Sequence, residues 1–224
     1  MPTALPFTSY PLHFAGMNAL RPPTFREERE LIMRGVTWIA GVDEAGCGCW
    51  AGPVYAAAVI LPLDSRLSLV RDSKKLSVAQ RERLVVDIKA AAAAWAVGTA
   101  TAAEIDELNI RRAGALAMRR AVESLAVKPE FVLIDAFRIP DLAIPSKSIV
   151  RGDATVKSIA AASVIAKTAR DAHLRELDIK YPGYGFAAHK GYGTAAHQEA
   201  LARLGPCSEH RRTYEPVRAV MVGS

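Results

Sequence analysis

VTWIAGVDEAGCG, residues 36–48, begins as a strand and ends in a contradiction. Its first eight residues are rich in β-branched and aromatic side chains, the composition of a β-strand. They close on Asp43, Glu44 comes next, and a glycine turn lies just beyond. Two adjacent carboxylates at the end of an apolar strand are costly unless water, hydrogen bonds or a cation offsets their charge. The contradiction recurs in FVLID, residues 131–135, a continuously apolar run that reads as a strand buried on both faces yet ends on Asp135. Asp153 follows 18 residues later, just before a long helical pattern. If the strand ends share one edge of a mixed sheet, these four acids can meet. Four oxygen donors suit a hard cation such as Mg²⁺ or Mn²⁺. A carboxylate cluster of that kind supports two-metal hydrolysis of a phosphodiester. Each acid also has a plainer reading, Asp153 as a helix cap and Asp135 as the close of a turn.

Outward from these acids, the chain alternates strand and helix signals. Residues 24–33 read as a short helix capped by Thr24. VYAAAVIL (54–61) is a second apolar run of strand length, stopped by Pro62. Ser77 and Gln80 form a capping-box pattern opening a helix to about residue 93, and residues 95–101 read as a third strand. Thr101 and Glu104 repeat the capping pattern. Asn109 caps a longer helix with Ile110, Ala113, Ala117 and Ala121 on one face. A short strand at 148–150, one helix over 155–179 and a last helix over 194–204 complete the reading. A basic tail around His210, Arg211 and Arg212 follows. The pattern is that of a mixed α/β sheet with a mostly helical C-terminal third.

The chain has 224 residues, enough for one large domain. Lys and Arg number 29 against 23 Asp and Glu, a net charge of +6 and a pI of about 9.4. A basic surface draws polyanions, with an ordinary basic soluble protein as the equal alternative. Cys47, Cys49 and Cys207 are too few, and odd in number, for a secreted disulfide framework. No apolar run approaches the roughly 20 residues of a membrane span. Pro2, Pro6 and Pro11 interrupt an N-terminus that lacks the basic start of a signal peptide. These features predict a cytoplasmic protein with no membrane partner.

Taken in order, GVDEAG (41–46), AGPV (51–54), DSKKLS (72–77), EIDELNI (104–110), VLIDAFR (132–138), GDATVKSIAAASVIAK (152–167), HKGYGT (189–194) and HRRTYEPV (210–217) resemble bacterial ribonuclease HII. The resemblance runs from about residue 36 to residue 217, and the ordered series is far more specific than any one motif. It implies an RNase H-like fold with a five-stranded mixed sheet, flanking helices and a helical C-terminal extension. The implied division is an N-terminal extension (1–35), a catalytic domain (36–180) and the C-terminal extension packed on it (181–224). It implies that Asp43, Glu44, Asp135 and Asp153 are the catalytic, metal-binding carboxylates of a Mg²⁺ or Mn²⁺ enzyme. Asp43 would bridge two ions, Glu44 and Asp135 would hold the leaving-group side, and Asp153 the nucleophile side. The substrates implied are RNA–DNA hybrids and duplex DNA carrying a ribonucleotide, cut on its 5′ side to leave a 3′-hydroxyl and a 5′-phosphate, by a chain expected to be monomeric.

The same resemblance assigns substrate recognition to a glycine-flanked turn, here Gly46-Cys47-Gly48, and to a tyrosine, here Tyr192. Telling RNA from DNA requires sensing the 2′-hydroxyl. The family usually has arginine where this chain has Cys47, so a cation able to grip a phosphate bidentately is lost and reduced activity is expected. Ser73, Lys74 and Lys75 lie before a helix N-terminus, a phosphate-contact position or an ordinary basic loop. Lys167 and Asp171 stand at a pairing distance along the helix, and Asp171 reads as structural. His173, His189 and His197 are candidate substrate contacts. Cys47 and Cys49 lack the partners a zinc site needs. Two other functions stay open: a non-catalytic hybrid-binding protein, and another two-metal nuclease or strand-transfer enzyme on the same fold.

Overall fold

The structure is a computed structural model, and it describes residues 22–67 and 77–222. Ser73, Lys74 and Lys75 fall outside the described residues. Five strands form one mixed sheet: β1 (Ile39–Ala45), β2 (Val54–Ile60), β3 (Ala94–Ala100), β4 (Phe131–Asp135) and β5 (Ser146–Ile149), in the order β3-β2-β1-β4-β5. The first three are antiparallel neighbours, while β4 runs parallel to both β1 and β5. The expected mixed five-stranded sheet is therefore present, with strand ends shifted by at most three residues.

Helices cover both faces. On one, α4 (Ile110–Glu123) sets Ala113, Ala117, Met118 and Ala121 against Val42, Ala56, Ala58 and Ile134. On the other, α6 (Lys157–Lys180) sets Ala161, Val164 and Ile165 against Ala57 and Val59, with Leu84 and Ile88 of α2 (Val78–Ala91) completing the cluster. The alternation of these partners along β1 and β2 follows from the two-residue period of a strand. Gly41 is required where β1 passes under α6, because a Cβ there would lie 2.2 Å from the Ser158 carbonyl carbon. Both capping boxes form, at Ser77 for α2 and at Thr101 for α3 (Ala102–Leu108), and Asn109 caps α4 through the amides of Arg111 and Arg112.

Two expectations about helices give way. Thr24 is not the N-cap of α1 (Arg26–Ile32), which is Phe25 with no side-chain cap, although the Thr24 hydroxyl accepts from the Arg26 amide at 3.4 Å. Thr24 instead bridges Val156, its amide donating to the Thr155 carbonyl and its carbonyl accepting from the Lys157 amide. That bridge accompanies an extended Val156, so the helix expected over 155–179 begins at Lys157 as α6, preceded by a separate turn of helix, α5 (Gly152–Thr155). Glu28 of α1 fixes the junction by accepting from both the amide and the hydroxyl of Ser158. Beyond α6 come α7 (Phe186–His189), α8 (Ala195–Leu204) and α9 (Glu215–Val222), of which only α8 was expected. Among the described residues no helix is long and apolar enough to cross a membrane.

Candidate active site

The parallel pairing of β1 with β4 brings the acids to one edge. The last paired residues are Val42 and Ile134, and Asp43 and Asp135 follow each of them directly. Both are thereby turned to the α6 face, opposite Val42 and Ile134. Asp43 is only 5% exposed, accepts from the Glu44 amide at 2.7 Å and is hydrogen-bonded by the Ser163 side chain. Burial holds its carboxyl well above the usual carboxylate range, and the charges of Glu44 and Asp135 push it the same way. Glu44, one residue on, lies on the α4 face. Burial, and then the charge of Asp135, raises its pKa to about 7. Its Oε2 is buried without a hydrogen-bond partner.

Asp135 accepts from the Gly152 amide at 2.6 Å. Arg151, in the left-handed region at φ 58°, turns the chain so that this amide faces β4. Asp153 sits on the first turn of α5, next to the residue that grips Asp135. The electrostatic coupling joins Asp43, Glu44 and Asp135. Among the described residues no three His, Cys, Asp or Glu side chains are drawn close enough to hold a metal ion as they stand. The donor set nevertheless fits a hard dication. Its side chains offer only oxygens, burial and the neighbouring carboxylates make two of them protonate more readily than usual, and one buried oxygen has no hydrogen-bond partner.

Immediately after β1, Gly46-Cys47-Gly48 forms a tight turn. Gly46 has φ 101°, and a Cβ there would lie 2.2 Å from Nε of Arg170, so glycine alone fits. The Cys47 thiol points back to Glu44, 3.7 Å from Oε1, and burial pushes its pKa up to about 12. It is therefore a neutral thiol and not a ready nucleophile. Beside it opens an apolar cavity of about 190 Å³ lined by Glu44, Ile110, Met118 and Phe137.

The turn is clamped from the far end of the chain. Arg211 is fully buried and donates to the carbonyls of Gly46 (2.7 Å), Cys47 (2.9 Å) and Gly52 (3.0 and 3.1 Å), and to the Tyr214 hydroxyl. Tyr214 in turn donates to the Cys47 carbonyl. The basic tail, expected either to reach a duplex backbone or to be a charged end, is corrected in part: His210 and Arg211 are interior residues, and Arg211 is the main support of the turn. Its signal in the sequence was present only as part of the motif HRRTYEPV.

Tyr192 reaches the same place from the loop between α7 and α8. It is 43% exposed, its side chain hydrogen-bonds Cys49, and its ring lies 6.0 Å from Nζ of Lys167 and 5.8 Å from the Arg170 guanidinium carbon. The Trp50 amide donates to the Gly191 carbonyl, which ties the loop to the turn. Lys167 pairs with Asp171 at 2.6 Å, and Arg81 of α2 meets the same carboxylate at 3.3 Å, which fits the structural reading of Asp171.

The residues assembled here are those of the motif series, and comparison with known proteins gives the series its name. Residues 40–217 match the ribonuclease HII family. The chain belongs to that family. It is 55% identical over 196 residues to a ribonuclease HII of Anaeromyxobacter sp. (strain Fw109-5), covering 88% of this chain and 62% of that relative. The chain thus spans under two thirds of that relative's length. Identity to a ribonuclease HII of Laribacter hongkongensis (strain HLHK9) is 57% over 182 residues, 80% of this chain and 92% of the relative. The ribonuclease H2 of Pyrococcus horikoshii OT3 superposes with a TM-score of 0.72 at 28% identity, covering 84% of this chain and 98% of that one. The fold is that of the ribonuclease HII family, and membership places the chain among ribonucleases, hydrolases of phosphodiester bonds.

Proposed function

We propose that the chain is an endonuclease that hydrolyses the RNA strand of RNA–DNA hybrids and cuts duplex DNA 5′ to an embedded ribonucleotide. The observation that carries this reading is a juxtaposition. Acids whose burial and mutual charge raise the pKa values of Asp43 and Glu44 stand one residue away from a turn whose carbonyls Arg211 holds, with the partly exposed Tyr192 beside it.

Asp43, Glu44, Asp135 and Asp153 would hold Mg²⁺ or Mn²⁺. When bound, the ions supply the charge that activates an attacking water and steadies the leaving 3′-oxygen. Asp43, Glu44 and Asp135 lie within reach of one another's charge, which would suit ligands that share a dication site. Gly46-Cys47-Gly48 offers backbone groups to the 2′-hydroxyl while Arg211 occupies the carbonyls that face inward. Tyr192 offers its ring to the sugar. Ser73, Lys74 and Lys75, before α2, would contact phosphates. Cys47 contributes no cation, so grip on the adjacent phosphate and turnover are reduced. Residues 1–35, 36–180 and 181–224 serve as extension, catalytic domain and C-terminal cover.

The test is cleavage of a duplex carrying one ribonucleotide, with Mg²⁺ or Mn²⁺, beside an all-DNA duplex. Metal-dependent cutting 5′ to the ribonucleotide alone is expected. Binding without cutting by the unaltered chain would favour a hybrid-binding protein instead.

A further inference from the structure

Behind the Tyr192 loop lies a group of histidines that the proposed chemistry does not use. His197 and His210 are buried, their Nε2 atoms 3.1 Å apart, and His189 stacks on His197 with ring centroids 4.2 Å apart. Burial pushes both His197 and His210 down to about pKa 4, so both rings are neutral at neutral pH.

Neutrality lets the proton positions be worked out one link at a time. The Cys207 amide donates to Nδ1 of His210 at 3.0 Å, so that nitrogen carries a lone pair. The His210 proton is then on Nε2, which donates to Nε2 of His197. His197 must carry its own proton on Nδ1, and this nitrogen is 2.9 Å from the Tyr192 carbonyl. The chain of donors runs from Cys207 through both rings and ends on the backbone of Tyr192. That carbonyl also accepts from the Thr194 amide, and the Tyr192 amide donates to the His189 carbonyl. Thr194 caps α8 by accepting from the His197 amide, which places the His197 ring over the first turn of the helix, reaching back to the loop.

We propose that His197, fixed in one tautomer by His210, is a positioning residue for Tyr192. Its Nδ1–H holds the Tyr192 carbonyl and so sets the ring against Cys49 and beside the Gly46 turn. This rests on reading Tyr192 as a recognition residue, but it concerns the placement of the ring, which is observable without turnover.

The full chain, labelled with fluorotyrosine, gives that observable. The Tyr192 fluorine signal is assigned by its loss in Tyr192→Phe. Two substitutions divide the functions of the ring at 197. His197→Asn keeps a donor where Nδ1 stands. His197→Gln keeps a polar group toward His210 but none for the Tyr192 carbonyl. The asparagine variant is expected to keep the signal in place and the kcat/KM on a single-ribonucleotide duplex within about threefold. The glutamine variant is expected to shift or broaden the signal and to lose about tenfold, the value of one hydrogen bond. Should the glutamine variant not fold, His210→Phe removes the donor that fixes the tautomer, and the same signal change is expected. Equal signals in the asparagine and glutamine variants, or an unmoved signal in His210→Phe, would overturn the proposal. If the unaltered chain cuts no ribonucleotide duplex while the signal still moves as expected, the reading of function falls and the positioning stands.

Discussion

The acid edge and the Gly46-Cys47-Gly48 turn are neighbours in the chain and opposites in their chemistry. At the edge, Asp43 and Glu44 protonate more readily than ordinary carboxyls, and one oxygen of Glu44 is buried without a partner. At the turn, the carbonyls of Gly46 and Cys47 are held by a single buried guanidinium, with a tyrosine hydroxyl in support. The edge crowds like charges together, while the inward carbonyls of the turn are held in place. A site that must accept a dication and a phosphate keeps its carboxylates under-compensated until the cation arrives. A site that must measure one hydroxyl group needs backbone atoms that do not move.

The sharpest way to break this contrast is at Asp43. Asp43→Asn removes a buried charge while keeping the shape, and turnover should fall on the order of 10³-fold or more. The metal-free variant should also melt a few degrees higher, since like-charge repulsion is relieved. A calorimetric scan without metal checks this; a lower Tm would mean that the edge is not under strain.

Next in size is the turn. Arg211→Met leaves buried carbonyls without donors and should cost about 3–5 kcal/mol, seen as a Tm lower by about 10 °C. An unchanged Tm would show that the clamp is ornamental.

A gain is expected at Cys47. The cavity beside the thiol has room for a longer stem, and Cys47→Arg should raise kcat/KM on a single embedded ribonucleotide about tenfold, the value of one charge-assisted hydrogen bond. No gain in steady-state kinetics would mean that this position matters less than the turn's backbone.

The smallest effect concerns pH. The raised pKa of Glu44, from 4.5 to about 7, means that the metal-free fold binds this proton more tightly than the unfolded chain. Its contribution to metal-free stability is present below 4.5 and is lost as pH rises through about 7. A dication needs the ionised form, so the rise in Tm on adding Mn²⁺ should grow between about pH 6 and about pH 8. A rise independent of pH would place the ion elsewhere.

The same two regions divide what could be read in advance. Asp43, Glu44 and Asp135 stood out because acids at the ends of apolar strands violate burial preferences, but the parallel pairing of β1 with β4 that unites them became visible only in the structure. The break between α5 and α6 was hidden, since it accompanies the pairing of Thr24 with Val156 across the fold. Arg211 was hidden for a stronger reason. A basic residue near a C-terminus reads as solvated, and only a contact spanning 165 positions to Gly46 makes it the centre of the turn. Local preference reveals where a residue is unexpected, but not which distant carbonyl it will satisfy.

The central claim, chemistry at the edge and recognition at the turn, is tested most directly by binding without cleavage. The affinity of Asp43→Asn for a single-ribonucleotide duplex and for the matching all-DNA duplex would be measured beside that of Asp43→Asn carrying Tyr192→Ala. The account predicts that Asp43→Asn alone keeps a clear preference for the ribonucleotide and that the added substitution removes most of it. A preference already lost in Asp43→Asn, or untouched by Tyr192→Ala, would contradict it.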